Sequence, residues 1–270
     1  MTPCVKHVQT ALHFAYMKRY ELSFRKNIRD LGGLVGFEGG TIKYGRLYRG
    51  DALSHLSKED IVVVSSFHLT DVVDFREQEE FHNRPDVRFP EVKYSNLPII
   101  DEKVKRENKD DGNLLWFVGD HTSGYEHLKK CYRDFVLSPK SIASYRAFFS
   151  LLLEKDRTFY FHCSQGKDRA GFAAYLLEIA LGVSYEDAIA DYLLSNIAME
   201  KRVEALLSQV ENKDFYNESY RRDLIDVFSA KEDYLNESIT KMDELYGGTM
   251  GFLEKALLVD IDVLRRLYLE

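Results

Sequence analysis

Residues 162–171 read HCSQGKDRAG, and this stretch decides the fold. The apolar run before it, 157–161, is typical of a buried strand, and 172–181 is typical of a helix that ends at Gly182. In a tight loop between a strand and a helix, peptide N–H groups converge on one point, and the helix N-terminus adds unsatisfied donors. Such a nest of amides predicts a site for a tetrahedral oxyanion.

The side chains of this loop supply the other parts of an anion site. Cys163 stands at the first position, where the converging amides favour thiolate over thiol. Arg169, six residues later, has the planar fork that fits two phosphate oxygens. Gly166 permits backbone angles that other residues resist. The positions expected to bind phosphate are Ser164, Gln165, Gly166, Lys167, Ala170 and Gly171, with Lys167 adding a second cation.

This loop resembles the HCxxGxxR signature of cysteine-dependent phosphatases, and its GKDR core resembles bacterial tyrosine and dual-specificity phosphatases that also act on phosphoinositides. Residues 27–33 (NIRDLGG) resemble that family's NxRDLGG element. Residues 45–51 (GRLYRGD) resemble its GxLYRSD element, with Gly50 in place of the usual Ser. Residues 73–76 (VDFR) with Glu79 resemble its DLRxxxE element, and 191–196 and 246–248 match its C-terminal helical part.

The resemblance implies an α/β fold: a cysteine-phosphatase-like central sheet flanked by helices, with a helix-rich C-terminal third. We expect one phosphatase domain over residues 1–270, with a loop insertion at about 101–124 and helical additions at about 185–270. Further strands are expected at 69–75 and 92–97, and a strand or a hairpin pair around Gly45 is expected at 41–48. Helices are expected at 125–135, 139–153, 185–210, 217–229, 231–246, 249–258 and 260–269, and after the capping boxes that start at Ser57 and Ser184.

The resemblance also implies a mechanism. Cys163 attacks phosphorus and forms a cysteinyl-phosphate, while Arg169 and the loop amides hold the phosphate oxygens. The general acid is Asp168 or Asp101: Asp168 lies within the loop and is favoured, whereas Asp101 follows an apolar stretch as in the mobile acid loop of dual-specificity phosphatases. No metal and no cofactor is expected, because the clamp supplies the positive field.

The supporting residues are less tightly defined by the sequence. His162 precedes the nucleophile and is expected to orient the loop. Arg49 is expected to support the site, and Asp30, Asp74 and Arg76 form either a structural ion-pair network or direct contacts with the site.

One position departs from the signature. Most relatives carry Thr or Ser after the arginine, and the hydroxyl stabilises the sulfur as it leaves; here the residue is Ala170. This favours a slower enzyme, or alternatively a phosphate-binding pseudophosphatase that acts as an interaction module. The substrate class also stays open between phosphorylated protein (on tyrosine, serine or threonine) and phosphoinositides or other small phosphomonoesters.

Composition excludes several other classes. With 37 Lys and Arg against 44 Asp and Glu, the 270-residue chain carries a net charge of −7, which argues against a nucleic-acid-binding protein. Cys4, Cys131 and Cys163 are too few for a disulfide scaffold and fit a reducing compartment. No apolar stretch reaches membrane-spanning length, and no signal peptide is evident. We therefore expect a cytoplasmic protein, with secretion by a non-classical route and the oligomeric state left open.

Overall fold

The computed structural model describes residues 27–99, 123–155 and 157–270. Its strands are β1 (Arg29–Asp30), β2 (Leu47–Gly50), β3 (Asp71–Asp74), β4 (Lys93–Asn96) and β5 (Phe159–His162). They form one sheet in the order β1-β2-β5-β3-β4, in which β1 is antiparallel to β2 and the other pairs are parallel. The α/β class with a central sheet is thus confirmed, and the strand that leads into the HCSQGKDRAG loop lies at the centre.

Helices cover the sheet and make up most of the C-terminal third, as expected. Within the described ranges they are α1 (Lys58–Ser65), α2 (Gln78–Asn83), α3 (Gly124–Leu137), α4 (Pro139–Leu152), α5 (Arg169–Ala180), α6 (Tyr185–Val210), α7 (Glu218–Phe228), α8 (Glu232–Tyr246) and α9 (Ile261–Tyr268). None of these helices is both long enough and apolar enough to cross a lipid bilayer. The single-domain organisation and the insertion at 101–124 stay predictions, because residues 1–26 and 100–122 lie outside the described ranges.

Local sequence signals explain most helix ends. The Ser57 hydroxyl accepts from the Asp60 amide and the Asp60 carboxylate accepts from the Ser57 amide, which completes the expected capping box of α1. At α6 the Ser184 hydroxyl caps the Asp187 amide. Gly182 (φ +83°) and Gly247 (φ +78°) adopt the left-handed conformation after α5 and α8, where glycine avoids a Cβ clash.

Three expectations differ from the structure. The segment expected as a strand at 41–48 contributes only Leu47 and Tyr48 to β2, while Thr41 and Ile42 form isolated bridges with Val35 and Leu269. The helix expected at 249–258 is a single turn, Thr249–Gly251, followed by the π-helical turn Phe252–Ala256. Helix α2 was not expected, because its six residues, QEEFHN, are too few to show a periodic apolar face.

The central strand β5 is buried on both faces, which explains its three consecutive aromatic residues, Phe159, Tyr160 and Phe161. Phe159 and Phe161 face the larger core, where Phe161 packs against the rings of Phe75 and Phe148. Tyr160 points to the opposite face and joins a smaller core that includes Tyr48. The register aligns the last residues of four strands, Gly50, His162, Asp74 and Asn96. The loop after β5 therefore leaves the sheet at its carboxyl edge, where ligands bind in open α/β sheets.

A buried ionic network ties the edge of the sheet to α6. The guanidinium of Arg29 donates to Asp191 from Nε to Oδ1 (2.6 Å), and the guanidinium of Arg49 contacts Asp191 Oδ2. All three side chains are at most 2% exposed. Burial acts to raise the pKa of Asp191, but the two arginines outweigh it and lower that pKa. Asp191 thus remains an anion that is shared by two cations on neighbouring strands.

Replacing Asp191 by Asn tests this network. The change keeps the shape of the side chain but removes the carboxylate that contacts both buried guanidinium groups, so we expect a loss of about 3–5 kcal/mol in the free energy of unfolding. Urea denaturation of the wild type and of Asp191→Asn measures it. Glu200→Gln, an exposed position on the same helix, is the control and should change stability by less than about 0.5 kcal/mol. An equal effect of both variants would contradict the network's role.

Candidate active site

The loop from Cys163 to Asp168 is fixed by backbone packing against the end of β2. Gly166 adopts φ +65°, and a Cβ there would lie 2.3 Å from the carbonyl carbon of Gly50. The Arg49 guanidinium donates to the Gly166 carbonyl from Nη2 at 2.9 Å, and Asn27 Nδ2 donates to the Gln165 carbonyl at 3.2 Å. Arg49 is therefore a support of the loop, as expected, and Asn27 is a support that the sequence analysis did not identify.

Gly50, where the resemblance calls for Ser, is required by its surroundings. A Cβ at this position would lie 2.2 Å from the Tyr160 hydroxyl and 2.7 Å from the Ile28 side chain. The Tyr160 hydroxyl is itself held, since it donates to the Asp51 carbonyl at 2.6 Å. The departure from the family pattern is thus explained by packing beneath the loop.

Cys163 and Arg169 lie at opposite ends of this loop. Cys163 is buried, 2% exposed, directly after β5, and Arg169 is the first residue of α5. Arg169 is held by Glu80 of α2: Nη1 donates to Oε2 at 2.7 Å and Nη2 to Oε1 at 3.0 Å. The Ser164 hydroxyl donates to Glu80 Oε1 as well. One carboxylate therefore joins both sides of the loop.

Glu80, and not Glu79, is the glutamate of the DLRxxxE element. Three residues separate Glu80 from Arg76, as the DLRxxxE pattern requires, whereas only two separate Glu79 from Arg76. Burial acts to raise the pKa of Glu80. The charge of Arg169 and the hydrogen bonds from Arg169 and Ser164 outweigh burial and lower that pKa to about 2. In turn, burial acts to lower the pKa of Arg169, and Glu80 raises it well above its usual range.

Of the two candidates for the general acid, Asp168 lies within the described residues and Asp101 does not. Asp168 Oδ1 accepts from the Tyr132 hydroxyl (2.9 Å) and contacts the Lys167 ammonium (3.0 Å), with the side chain one quarter exposed. The Tyr132 hydroxyl also contacts that of Tyr192 at 2.7 Å, and burial followed by the Asp168 charge raises the pKa of Tyr132 well above its usual range. Asp101 lies outside the described residues.

The expectation that Lys167 adds a second cation to the phosphate pocket is wrong. Its side chain is fully buried, and Nζ lies 2.8 Å from the Val227 carbonyl, 3.0 Å from the Ser229 carbonyl and 3.0 Å from Asp168 Oδ1. An ammonium has three N–H donors, and these three acceptors account for them. Lys167 links the loop to the end of α7 instead of facing a ligand.

The other residues expected near the site have structural contacts. Asp30 accepts from the amides of Gly32 (2.9 Å) and Gly45 (2.7 Å), so it ties two turns beside β1. Ala170 is fully buried, and Gly171 packs against Arg49 and Tyr192. Asp74 and Arg76 are paired, with Nη2 to Oδ2 at 2.6 Å.

Beside that pair lie Asp86 and His162. Oxygen and nitrogen atoms of Asp74, Asp86 and His162 lie within 4.8 Å of one another, a spacing that suits a cation. The Arg76 guanidinium already contacts both carboxylates of this group. Of the two alternatives for Asp74 and Arg76, the structure shows the ion-pair network, which lies directly below the loop.

Comparison with known proteins agrees with this geometry. Residues 20–270 match the model of the tyrosine phosphatase family, and the chain belongs to that family. It is 30% identical over 255 residues to a Cupriavidus necator protein with the provisional name of a tyrosine-protein phosphatase, covering 93% of this chain and 89% of the relative. It is 26% identical over 264 residues to the triple specificity protein phosphatase PtpB of Mycobacterium tuberculosis, covering 85% of this chain and 94% of the relative.

Replacing Glu80 by Gln tests the tie across the loop. Because the pKa of Glu80 is lowered on folding, its contribution to stability is complete above about pH 5 and disappears as the pH falls towards 2. We expect Glu80→Gln to lose about 2 kcal/mol of unfolding free energy at pH 7 and progressively less below pH 4.5. Urea denaturation at a series of pH values measures this. Glu79→Gln is the comparison, and a larger loss there would show that the assignment to Glu80 is wrong.

Proposed function

We propose that this chain hydrolyses phosphate monoesters through a cysteinyl-phosphate intermediate on Cys163. Membership of the tyrosine phosphatase family supports a phosphatase. The observation that carries the finer proposal is the buried thiol at the carboxyl end of the central strand, with Arg169 held on the far side of the same loop by Glu80. This arrangement pairs a nucleophile with an anion clamp.

The way Glu80 holds Arg169 supports the clamp. A guanidinium has five N–H donors in a rigid fork. Glu80 takes one from each terminal nitrogen, and the Phe75 carbonyl contacts Nη1 at 3.5 Å. Nε and the remaining Nη2 hydrogen have no partner among the described residues. That edge of the fork suits bidentate binding of a phosphate.

The reaction then proceeds in two balanced steps. In the first, the Cys163 thiolate gives an electron pair to phosphorus, the bond between phosphorus and the ester oxygen breaks, and an acid protonates the departing oxygen. In the second, water attacks phosphorus, the S–P bond breaks, and the water proton passes to the carboxylate that the first step left behind. Thiolate and acid are restored, and inorganic phosphate leaves.

Asp168 is the proposed acid. Tyr132 and Lys167 both contact Oδ1, so they fix the carboxyl group and leave Oδ2 for the transferred proton. The proposed substrate is a phosphorylated protein, with phosphotyrosine first and phosphoserine or phosphothreonine as further candidates. Phosphoinositides become less favoured, because Lys167 offers no donor to a highly charged headgroup.

A phosphate-binding pseudophosphatase is the second candidate, favoured by Ala170. The fully buried Ala170 supplies no hydroxyl to the departing sulfur. Under this proposal the loop binds phosphate without turnover, so an assay of phosphate release by the wild type distinguishes the two candidates.

Replacing Cys163 by Ser tests the covalent step. A hydroxyl of nearly the same size is not a thiolate, so phosphate release from p-nitrophenyl phosphate should fall by about a thousandfold or more, while binding of inorganic phosphate persists. Cys131→Ser, at the other described cysteine, is the matched control and should keep turnover. Mass spectrometry of the acid-quenched wild type should find phosphate on the peptide that contains Cys163. Turnover of Cys163→Ser within tenfold of wild type would exclude the mechanism.

Replacing Asp168 by Asn tests the acid. A poor leaving group needs the proton most, so kcat should fall by about 10²–10⁴-fold for phenyl phosphate and much less for p-nitrophenyl phosphate. The same pair of substrates is assayed with Asp101→Asn. If that variant shows the leaving-group dependence and Asp168→Asn does not, Asp101 is the acid.

A further inference from the structure

Four charged or titratable side chains lie together below the nucleophile loop and contact one another. Asp74 and Arg76 lie at the end of β3, Asp86 lies between α2 and β4, and His162 is the last residue of β5. All four are at most 9% exposed. On the neighbouring strand β2, the residue opposite His162 in the register is Gly50, which has no side chain. The centroid of the Tyr160 ring lies 5.6 Å from that of the imidazole.

Within this set Asp86 is the carboxylate closest to His162. Asp86 Oδ2 lies 3.1 Å from His162 Nε2 and 3.0 Å from Arg76 Nη2. Nε2 has no hydrogen-bond partner among the described residues, and its contact with Asp86 is an ion pair when the ring is protonated. Asp74 is engaged by Arg76 through three side-chain contacts, and its nearest oxygen lies 3.8 Å from His162 Nδ1. Asp86 is thus the direct partner of the ring.

The other ring nitrogen faces the nucleophile's own backbone. His162 Nδ1 lies 3.1 Å from the Cys163 carbonyl oxygen. A neutral ring with its proton on Nδ1 would satisfy this hydrogen bond, so the charge of the ring depends on its charged neighbours. Asp74, Asp86 and Arg76 together carry one negative charge, which an imidazolium cancels. Burial acts to lower the pKa of His162, but Asp74 and Asp86 outweigh it and raise that pKa above 6.5.

We infer that Asp86 is a positioning residue, which holds His162 as an imidazolium against the Cys163 carbonyl and so keeps a positive charge beside the nucleophile. This inference rests on the proposed function, since it concerns the same thiol. Asp86 lies outside the HCSQGKDRAG loop and outside each of the sequence elements noted above. Its effect reaches the sulfur through His162 and through the backbone between them.

The test measures the thiol directly and does not depend on turnover. The rate of alkylation of Cys163 by iodoacetamide, followed by mass spectrometry of its peptide, is measured against pH for the wild type and for Asp86→Asn. Loss of the carboxylate should shift the midpoint of this profile upward by about one pH unit and slow alkylation at pH 6 about tenfold. Asp86→Glu, which restores a carboxylate, should lie closer to the wild type.

Asp71→Asn is the matched control. Asp71 is likewise buried and paired with an arginine, Arg157 at 3.2 Å, but it lies at the opposite end of β3. Its replacement should leave the alkylation midpoint in place. An unshifted midpoint in Asp86→Asn, or an equal shift in Asp71→Asn, would overturn the inference.

A second measurement uses the wild type alone and remains available if Asp86→Asn does not fold. The ring protons of His162, followed by NMR against pH, should show an imidazolium at pH 7. A neutral ring at that pH would overturn the inference. If the wild type releases no phosphate from p-nitrophenyl phosphate, the proposed function fails while both measurements still report on Asp86 and His162.

Discussion

The close approach of two backbones, at Gly50 and Gly166, is the constraint on which the rest of the site depends. Gly166 must be in the left-handed conformation and without a Cβ for the loop to lie against the end of β2. Arg49 then donates to the Gly166 carbonyl from below, and Asp191 holds Arg49. The position of the anion site therefore follows from backbone packing first and from side-chain charge second.

Charge is buried around this loop in separate groups of paired side chains. Asp191 is the shared carboxylate of two arginines beneath β1 and β2, which leaves one positive charge there, and Glu80 balances Arg169 at the mouth of the loop. Burying such groups is costly unless every charge has a partner, and removing one partner leaves an uncompensated ion. The benefit is rigidity: a guanidinium or imidazolium that is held on one edge presents its remaining donors in a fixed direction. For the proposed phosphate site, that preorganisation would lower the cost of ordering the side chains when a dianion binds.

Much of the fold and of the candidate site was predictable from the sequence, and each residue that was missed has a cause of its own. The run at 157–161, the HCSQGKDRAG loop and the helix after it indicated β5, the turn that follows it and α5, because each has a strong local signal. Glu80 was missed by one position, although counting the DLRxxxE spacing would have found it. Asp191 is an acidic residue between apolar residues of α6. That pattern indicates that a buried cation pairs with it, but it does not identify the cation. The contacts of Lys167 could not be predicted, because two of its partners are backbone carbonyls 60 and 62 residues away. Every residue has a backbone carbonyl, so the sequence does not show which ones accept a hydrogen bond.

The crowding at Gly50 has an evolutionary consequence. The volume that a Ser side chain would need at position 50 is taken here by the Tyr160 hydroxyl and by Ile28. Related chains with Ser at this position must therefore differ at the residue that corresponds to Tyr160 or to Ile28, so that the hydroxyl or the methyl groups make room. An alignment should show covariation among these three positions, although they lie on three different strands or strand ends and far apart along the chain.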